Sequence, residues 1–274
     1  MQGVYTTSDP DGIMTRAKAA LRVCPSGTLL GGVTVLRLLG AWLPDDLSDQ
    51  RIHVVVSPGV CGPQRAQIKV VRAIVPLPPV EFEDGVYGVH PAQAWFQITG
   101  MIRVADLVIV ADSLMRRQVP MAAPSDFSRV LDMLPGRRGS KVARQALAMA
   151  RAGVDSPMES RLRLAIVASG LPCPVVNHPL RPWAGGPQYY LDMAYPTSQL
   201  AIEYDGAVHV GNRAQMQSDR TRRRHVEDAG WRVLTATAAD FANLAAFIDS
   251  IRRELRRRSS PDMDSATFFG RQPG

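Results

Sequence analysis

The segment LAIEYDGAVH, Leu200 to His209, sets Glu203 and Asp205 two residues apart in a run patterned like a strand. A second strand-like run, Tyr189–Tyr195 (YYLDMAY), carries Asp192. Side chains alternate between faces along a strand. If Pro196–Gln199 is a tight connection centred between Thr197 and Ser198, Asp192 faces Glu203 across a hairpin. Tyr190, Asp192, Ala194, Ala201, Glu203 and Asp205 then share one face, and the other is apolar. Facing carboxylates repel by up to about 1 kcal/mol on a surface, and burial drives them toward protonation. Two arrangements relieve the repulsion. One is a divalent cation, Mg²⁺ or Mn²⁺, held by Asp192, Glu203 and Asp205 through hard oxygen ligands. The other is a solvated acidic edge with arginines nearby. Register is critical, because a one-residue slip sends the carboxylates to opposite faces.

The neighbouring residues extend both readings. Gly206 permits a sharp turn after Asp205. His209 falls just past the strand end, where an imidazole ligates a metal or accepts a proton. Downstream, Ser218–His225 (SDRTRRRH) is a dense basic run within a helical pattern. Alone it reads equally as a solvated face or as a phosphate clamp. Beside an acidic metal patch, Arg220, Arg222 and Arg223 would hold phosphates, which points to phosphodiester chemistry. Glu159 sits in Ser156-Pro157-Met158-Glu159 and is either a capping-box glutamate or a further site carboxylate.

These residues need elements to position them. The second half reads as a helix from Ser156 to Ser169 stopped by Gly170, strands at Val175–Val176, Tyr189–Tyr195 and Leu200–Asp205, a helix over Ala214–Ala229, a strand over Trp231–Thr237 and a last helix over Asn243–Arg257. The first half reads as a small α/β unit. It has helices at Arg16–Val23, Thr28–Leu39, Pro91–Thr99 and Val104–Met115, and strands at Arg51–Val56 and Gln67–Val75. It holds no catalytic cluster, and His53 and His90 read as structural histidines. Gln118–Ser128 reads as a linker, followed by helices at Asp126–Met133 and Lys141–Ala152. Domain limits follow: an N-terminal module over 1–117, a linker and connecting helix over 118–152, a second domain over 153–258 and a disordered tail over 259–274.

Composition bounds the partners. The 274 residues carry a net charge of +7, and Lys18, Lys69 and Lys141 are the only lysines. Arginine matches phosphate bidentately, which suits nucleic acid, although an arginine- and alanine-rich composition also arises from genome bias. No apolar run is long enough to span a bilayer, and no basic segment precedes an apolar run at the N-terminus. Cys24, Cys61 and Cys173 lack metal-ligand spacing and read as buried or free thiols of a cytoplasmic protein.

Four segments together, SPMESRLR (156–163), YYLDMAYP (189–196), LAIEYDGAVH (200–209) and SDRTRRRHVEDAGWRVL (218–234), resemble an uncharacterised bacterial nuclease-like domain family. That family is related to very-short-patch mismatch repair endonucleases, within the restriction-endonuclease-like PD-(D/E)XK superfamily. The resemblance runs from about Gly139 to about Ile251. It implies a mixed central sheet flanked by helices and metal-dependent DNA cleavage, in phage defence or repair. Asp192 corresponds to the first metal-binding acid, Glu203 to the second and Glu159 to the leading-helix acid. Asp219 and Arg222 match polar helix positions that face DNA, and Trp231 matches a Gly-Trp pair. The superfamily's usual lysine position is Asp205 here, and His209 is placed to substitute, as histidines do in the related repair enzymes. A non-catalytic DNA-binding regulator, antitoxin or phage-immunity protein on the same fold is the alternative that this departure leaves open.

More loosely, GVYTT, AALRVCPSGTLLGGVTVLRLLG, RIHVVVSP and ADLVIVADSLMRR resemble the body of abortive-infection-type antitoxins of type IV toxin–antitoxin systems. Those antitoxins usually open with a DNA-binding winged helix, and this chain starts at Met1–Tyr5, about where that winged helix would end, so the resemblance is to the body without it. The partners expected are DNA for the nuclease-like domain, a protein bound through the N-terminal module, and a second copy of the chain.

Overall fold

The computed structural model describes residues 12–72, 75–206 and 213–259, and the tail expected to be disordered lies almost wholly outside them. The fold is α/β, with two mixed sheets in two compact units, 1–164 and 165–274.

In the first unit the elements run α1 (Ile13–Leu21), β1 (Leu29–Leu30), α2 (Gly32–Leu38), β2 (Ile52–Val55), β3 (Ile68–Val70), β4 (Val80–Glu81), β5 (Tyr87–Gly88), α3 (Pro91–Gln97), α4 (Val104–Leu114), α5 (Pro124–Met133), α6 (Ser140–Met149) and α7 (Pro157–Ala168). The sheet order is β3-β2-β1-β5-β4. The apolar stretch Thr28–Leu39 does not start as a helix. Leu29 and Leu30 pair with Val55 and Val54, and α2 follows a glycine turn. That turn needs glycine: Gly32 has φ 42°, and a Cβ there would lie 2.5 Å from His53 Nδ1. The strand expected over Gln67–Val75 shortens to β3.

The expected linker is instead core. Phe127, Val130, Leu131, Ala143 and Ala146 of α5 and α6 pack with Leu36, Trp95 and Leu107. The Trp95 indole N–H donates to Leu107 O at 2.8 Å, and its ring meets Phe127 edge-on at 5.1 Å. The chain around Pro124 starts a helix because the Asp126 carboxylate accepts the Ala123 N–H at 2.8 Å, a side-chain cap.

α7 is tied down by a buried charge pair. Arg163 and Asp112 are each 1% exposed, and their 2.7 Å contact is joined by Ser160 Oγ and Arg151 N–H, both donating to the Asp112 carboxylate. Burial pushes the Asp112 carboxyl up, and Arg163 opposes that shift. His53 is wholly buried under α2. Val33 N–H donates to its Nδ1, so its Nε2 carries the proton and donates to Asp49 at 3.2 Å. Burial, with Lys69 nearby, lowers the His53 pKa from 6.5 to about 4. Cys24, Cys61 and Cys173 are free thiols.

The second unit contains the end of α7, β6 (Val175–Leu180), β7 (Tyr189–Tyr195), β8 (Leu200–Asp205), α8 (Arg213–Asp228), β9 (Arg232–Thr237) and α9 (Leu244–Ser259). Its strands lie in the order β6-β7-β8-β9. β6 to β8 are antiparallel, and β9 runs parallel to β8, a pairing that needs the crossover α8 supplies. α8 is polar along most of its length and docks through Val226, which packs with Leu191, Ala194, Ala201, Trp231 and Val233. Among the described residues, no helix is long and apolar enough to cross a membrane.

Two outcomes follow. Asp112→Ala leaves Arg163 as a buried unpaired charge and should cost about 3–5 kcal/mol in urea unfolding followed by Trp95 fluorescence. The double replacement Asp112→Leu with Arg163→Met should recover much of that loss. The depressed His53 pKa gives stability that is complete above pH 6.5 and is lost as pH falls toward about 4, because the unfolded chain takes up a proton that the folded chain refuses. The loss should reach about 3 kcal/mol, with a smaller share from His90, whose pKa burial also lowers. Urea midpoints across that range and NMR titration of the His53 ring test it.

Candidate functional site

The hairpin forms in the expected register. Tyr195 pairs with Leu200, Ala194 with Ala201 and Met193 with Ile202, and Asp192 and Glu203 are the positions just beyond the last of these pairs. The Pro196–Ser198 turn and Gln199, held at φ 45°, reverse the chain between them. The regular ladders break at Asp192. The β7–β8 pairs end at Met193, and the β6–β7 pairs skip from Val176–Met193 to His178–Leu191, where Asn177 has φ 45°. The Asp192 carboxylate accepts the Tyr204 N–H at 3.0 Å. Strict alternation therefore fails on the N-terminal side of Asp192. Leu191, expected on the face opposite Ala194 and Ala201, packs in one cluster with them.

The counter-charge at this acidic pair is an arginine. Arg222, on α8, donates to Glu203 Oε1 at 2.7 Å and to Tyr190 O at 2.7 Å. Its side chain is 28% exposed and that of Glu203 is 16% exposed. Burial alone would lower the Arg222 pKa. The hydrogen bond and charge of Glu203, with Asp192 and Asp219, outweigh it and raise the pKa. Asp219, expected to face DNA, thus adds to the acidic field around Arg222. The i, i+3 spacing of the two on α8 puts them on one helix face.

The remaining expected residues divide. Asp205 is exposed at the end of β8. Among the described residues, no group of three or more His, Cys, Asp or Glu side chains is placed to hold a metal ion, so the trio of Asp192, Glu203 and Asp205 does not close into one. His209 lies outside the described residues. Glu159 belongs to the first unit and acts as a cap: its N–H donates to Ser156 Oγ and its carboxylate accepts the Asp155 N–H, each at 3.2 Å. Arg220 is exposed on α8. Arg223 is shared between Glu227 at 3.2 Å and Thr235 Oγ1 at 3.4 Å. Trp231 is 7% exposed and packs in the core.

Sequence reasoning did not find the aromatic line that adjoins Arg222. The Tyr189 hydroxyl is hydrogen-bonded to His225 Nδ1 at 2.8 Å, and the Arg222 guanidinium sits 5.9 Å from the centre of the Tyr189 ring. Trp183 meets the His225 ring edge-on at 4.7 Å. Tyr189 and His225 are 36 positions apart, and no local pattern signals their contact.

Comparison with known proteins gives distant relatives of unassigned role. No family model matches the chain, and no solved structure matches it. Two uncharacterised proteins from strains of Mycobacterium tuberculosis are each 26% identical to it over 271 residues, which cover 98% of this chain and 93% of the relative. The shared stretch therefore includes both units.

The Arg222 contact predicts a stability effect. Arg222→Ala removes the guanidinium bound to Glu203 and should cost about 1–2 kcal/mol, the lower end for a charged hydrogen bond because the pair is partly exposed. Combined with Glu203→Gln, the cost should be smaller than the sum of the two single losses in a double-mutant cycle by urea unfolding.

Proposed function

We propose that the second unit binds DNA along α8 and hydrolyses its phosphodiester backbone with a divalent cation, Mg²⁺ or Mn²⁺, held by Asp192 and Glu203. The observation that carries this reading is the placement of those two carboxylates on neighbouring strands, just past the end of the β7–β8 ladder, where both act on Arg222 of α8. The donor chemistry fits. Mg²⁺ is commonly bound by one or two carboxylates, with water and substrate phosphates completing its shell, so a protein-only group of three is not required. Such a cation supplies Lewis-acid activation of a phosphate and a water acidified for attack. Arg220 and Arg224, both exposed on α8, offer phosphate contacts that fix the backbone. Arg222 is bound to Glu203 and must share or release that carboxylate when a cation enters. Asp192 keeps its hold on Tyr204 N–H, which fixes the carboxylate's direction.

One observation favours a second reading. Arg222 already neutralises Glu203 without a metal, as in a module that binds DNA without turnover and serves as a regulator, antitoxin or phage-immunity protein.

The readings separate on supercoiled plasmid with Mg²⁺ or Mn²⁺. The wild-type chain should nick or linearise it, Asp192→Ala and Glu203→Ala should abolish cutting, and all three should bind DNA alike. Binding without cutting by every protein would select the second reading. Binding should weaken with salt, and Arg220→Ala should lower the salt slope by about 1 if it contacts a phosphate. A salt-independent affinity would remove the nucleic-acid assignment.

A further inference from the structure

The chain has four tryptophans, and Trp183 is the exposed one. Trp95 and Trp231 are 0% and 7% exposed, whereas Trp183 is 48% exposed. A large apolar ring left half open in a turn between β6 and β7 loses the benefit of burial, yet this ring is held in place. The Gly186 N–H donates to Trp183 O at 3.0 Å, closing the turn. A Cβ on Gly186 would lie 2.7–2.9 Å from Cε2, Nε1 and Cδ2 of the indole, so the ring rests on that glycine. His225 meets it edge-on at 4.7 Å. From there a continuous line of contacts runs through Tyr189 and Arg222 to Glu203. The indole is thus positioned in advance, on the same unit as the acidic pair and beside an arginine-bearing helix. Arg181 is exposed two residues before it and donates to Gln188, which in turn donates to the half-open Tyr190 hydroxyl.

From this arrangement we infer that Trp183 is a stacking platform for an unpaired base, so that the second unit prefers nucleic acid with single-stranded character. The inference rests on the nucleic-acid reading above and extends it to the class of substrate. Bases in a duplex stack on each other and hide their faces, whereas an unpaired base offers a π-face to an aromatic side chain. Aromatic stacking beside a basic track is the general means of holding single strands without reading sequence. The half-open indole, its supporting glycine and the nearby guanidiniums supply both parts.

The test uses the full chain and two fluorescein-labelled probes of one mixed sequence, a single-stranded oligonucleotide and its blunt duplex, without divalent cation. The wild type should bind the single strand more tightly. Trp183→Ala should weaken single-strand binding roughly tenfold or more and leave duplex binding within about twofold. Trp183→Phe should retain most of the affinity. Gly186→Ala keeps the indole but forces it off its seat and should also weaken single-strand binding selectively, which separates ring placement from a folding defect. With unlabelled probes, the single strand should quench the wild-type tryptophan emission, and Trp183→Phe should remove the quenched component. Equal losses on both probes, or tight single-strand binding without quenching, would overturn the stacking role while leaving nucleic-acid binding intact. Failure of the wild type to bind either probe would overturn the nucleic-acid reading itself.

Discussion

Two carboxylates on adjoining strands repel each other, and the structure of the second unit is organised around offsetting that repulsion. Asp192 and Glu203 lie on neighbouring strands, each one residue beyond the last ladder pair, Met193–Ile202, and both act on Arg222. The sheet responds locally by breaking its ladders at Asp192 and giving that carboxylate a backbone N–H. It responds globally by bringing α8 across the strands so that Arg222 reaches Glu203. The crossover helix therefore does two jobs, linking parallel strands and carrying the counter-charge. Its polar composition follows, since among its described side chains Val226 is the buried one and the arginines stand on more open faces.

The first unit solves a different electrostatic problem. Its interior holds a fully enclosed Asp112–Arg163 pair, with Ser160 donating to the carboxylate, and a neutral His53 hydrogen-bonded at both ring nitrogens. The Asp112 pair secures α7, whose last residues enter the second unit. The acid on that helix, Glu159, is spent on capping it, which is the plainer of the two roles its Ser-Pro-Met-Glu setting allowed.

Much of the second unit was legible along the chain, because its signals are local. β7 and β8 alternate clearly and are joined by a turn too short to permit many registers, so their pairing followed from spacing. Helices α7 and α8 carry their own stops at Gly170 and Gly230. The first unit was harder to read. Strands β1, β4 and β5 are two residues each, shorter than any period, and they exist because their neighbours pair with them. The segment around Pro120 and Pro124 has a linker's composition, but its helices bury Phe127 and Leu131 against distant residues. Alternation around Leu191 also failed, since the interruption at Asn177 and Asp192 depends on both strands at once.

The sequence by itself determined that the chain is α/β and that β7 and β8 would pair about the Pro196–Gln199 turn, because strand period and turn length are properties of neighbouring residues. Only the tertiary structure decided what meets that pair. The choice of Arg222 over its basic neighbours and the seating of Trp183 against His225 both depend on how helices pack on sheets. Packing is settled by the summed burial of residues far apart in the chain, and no short window contains that sum.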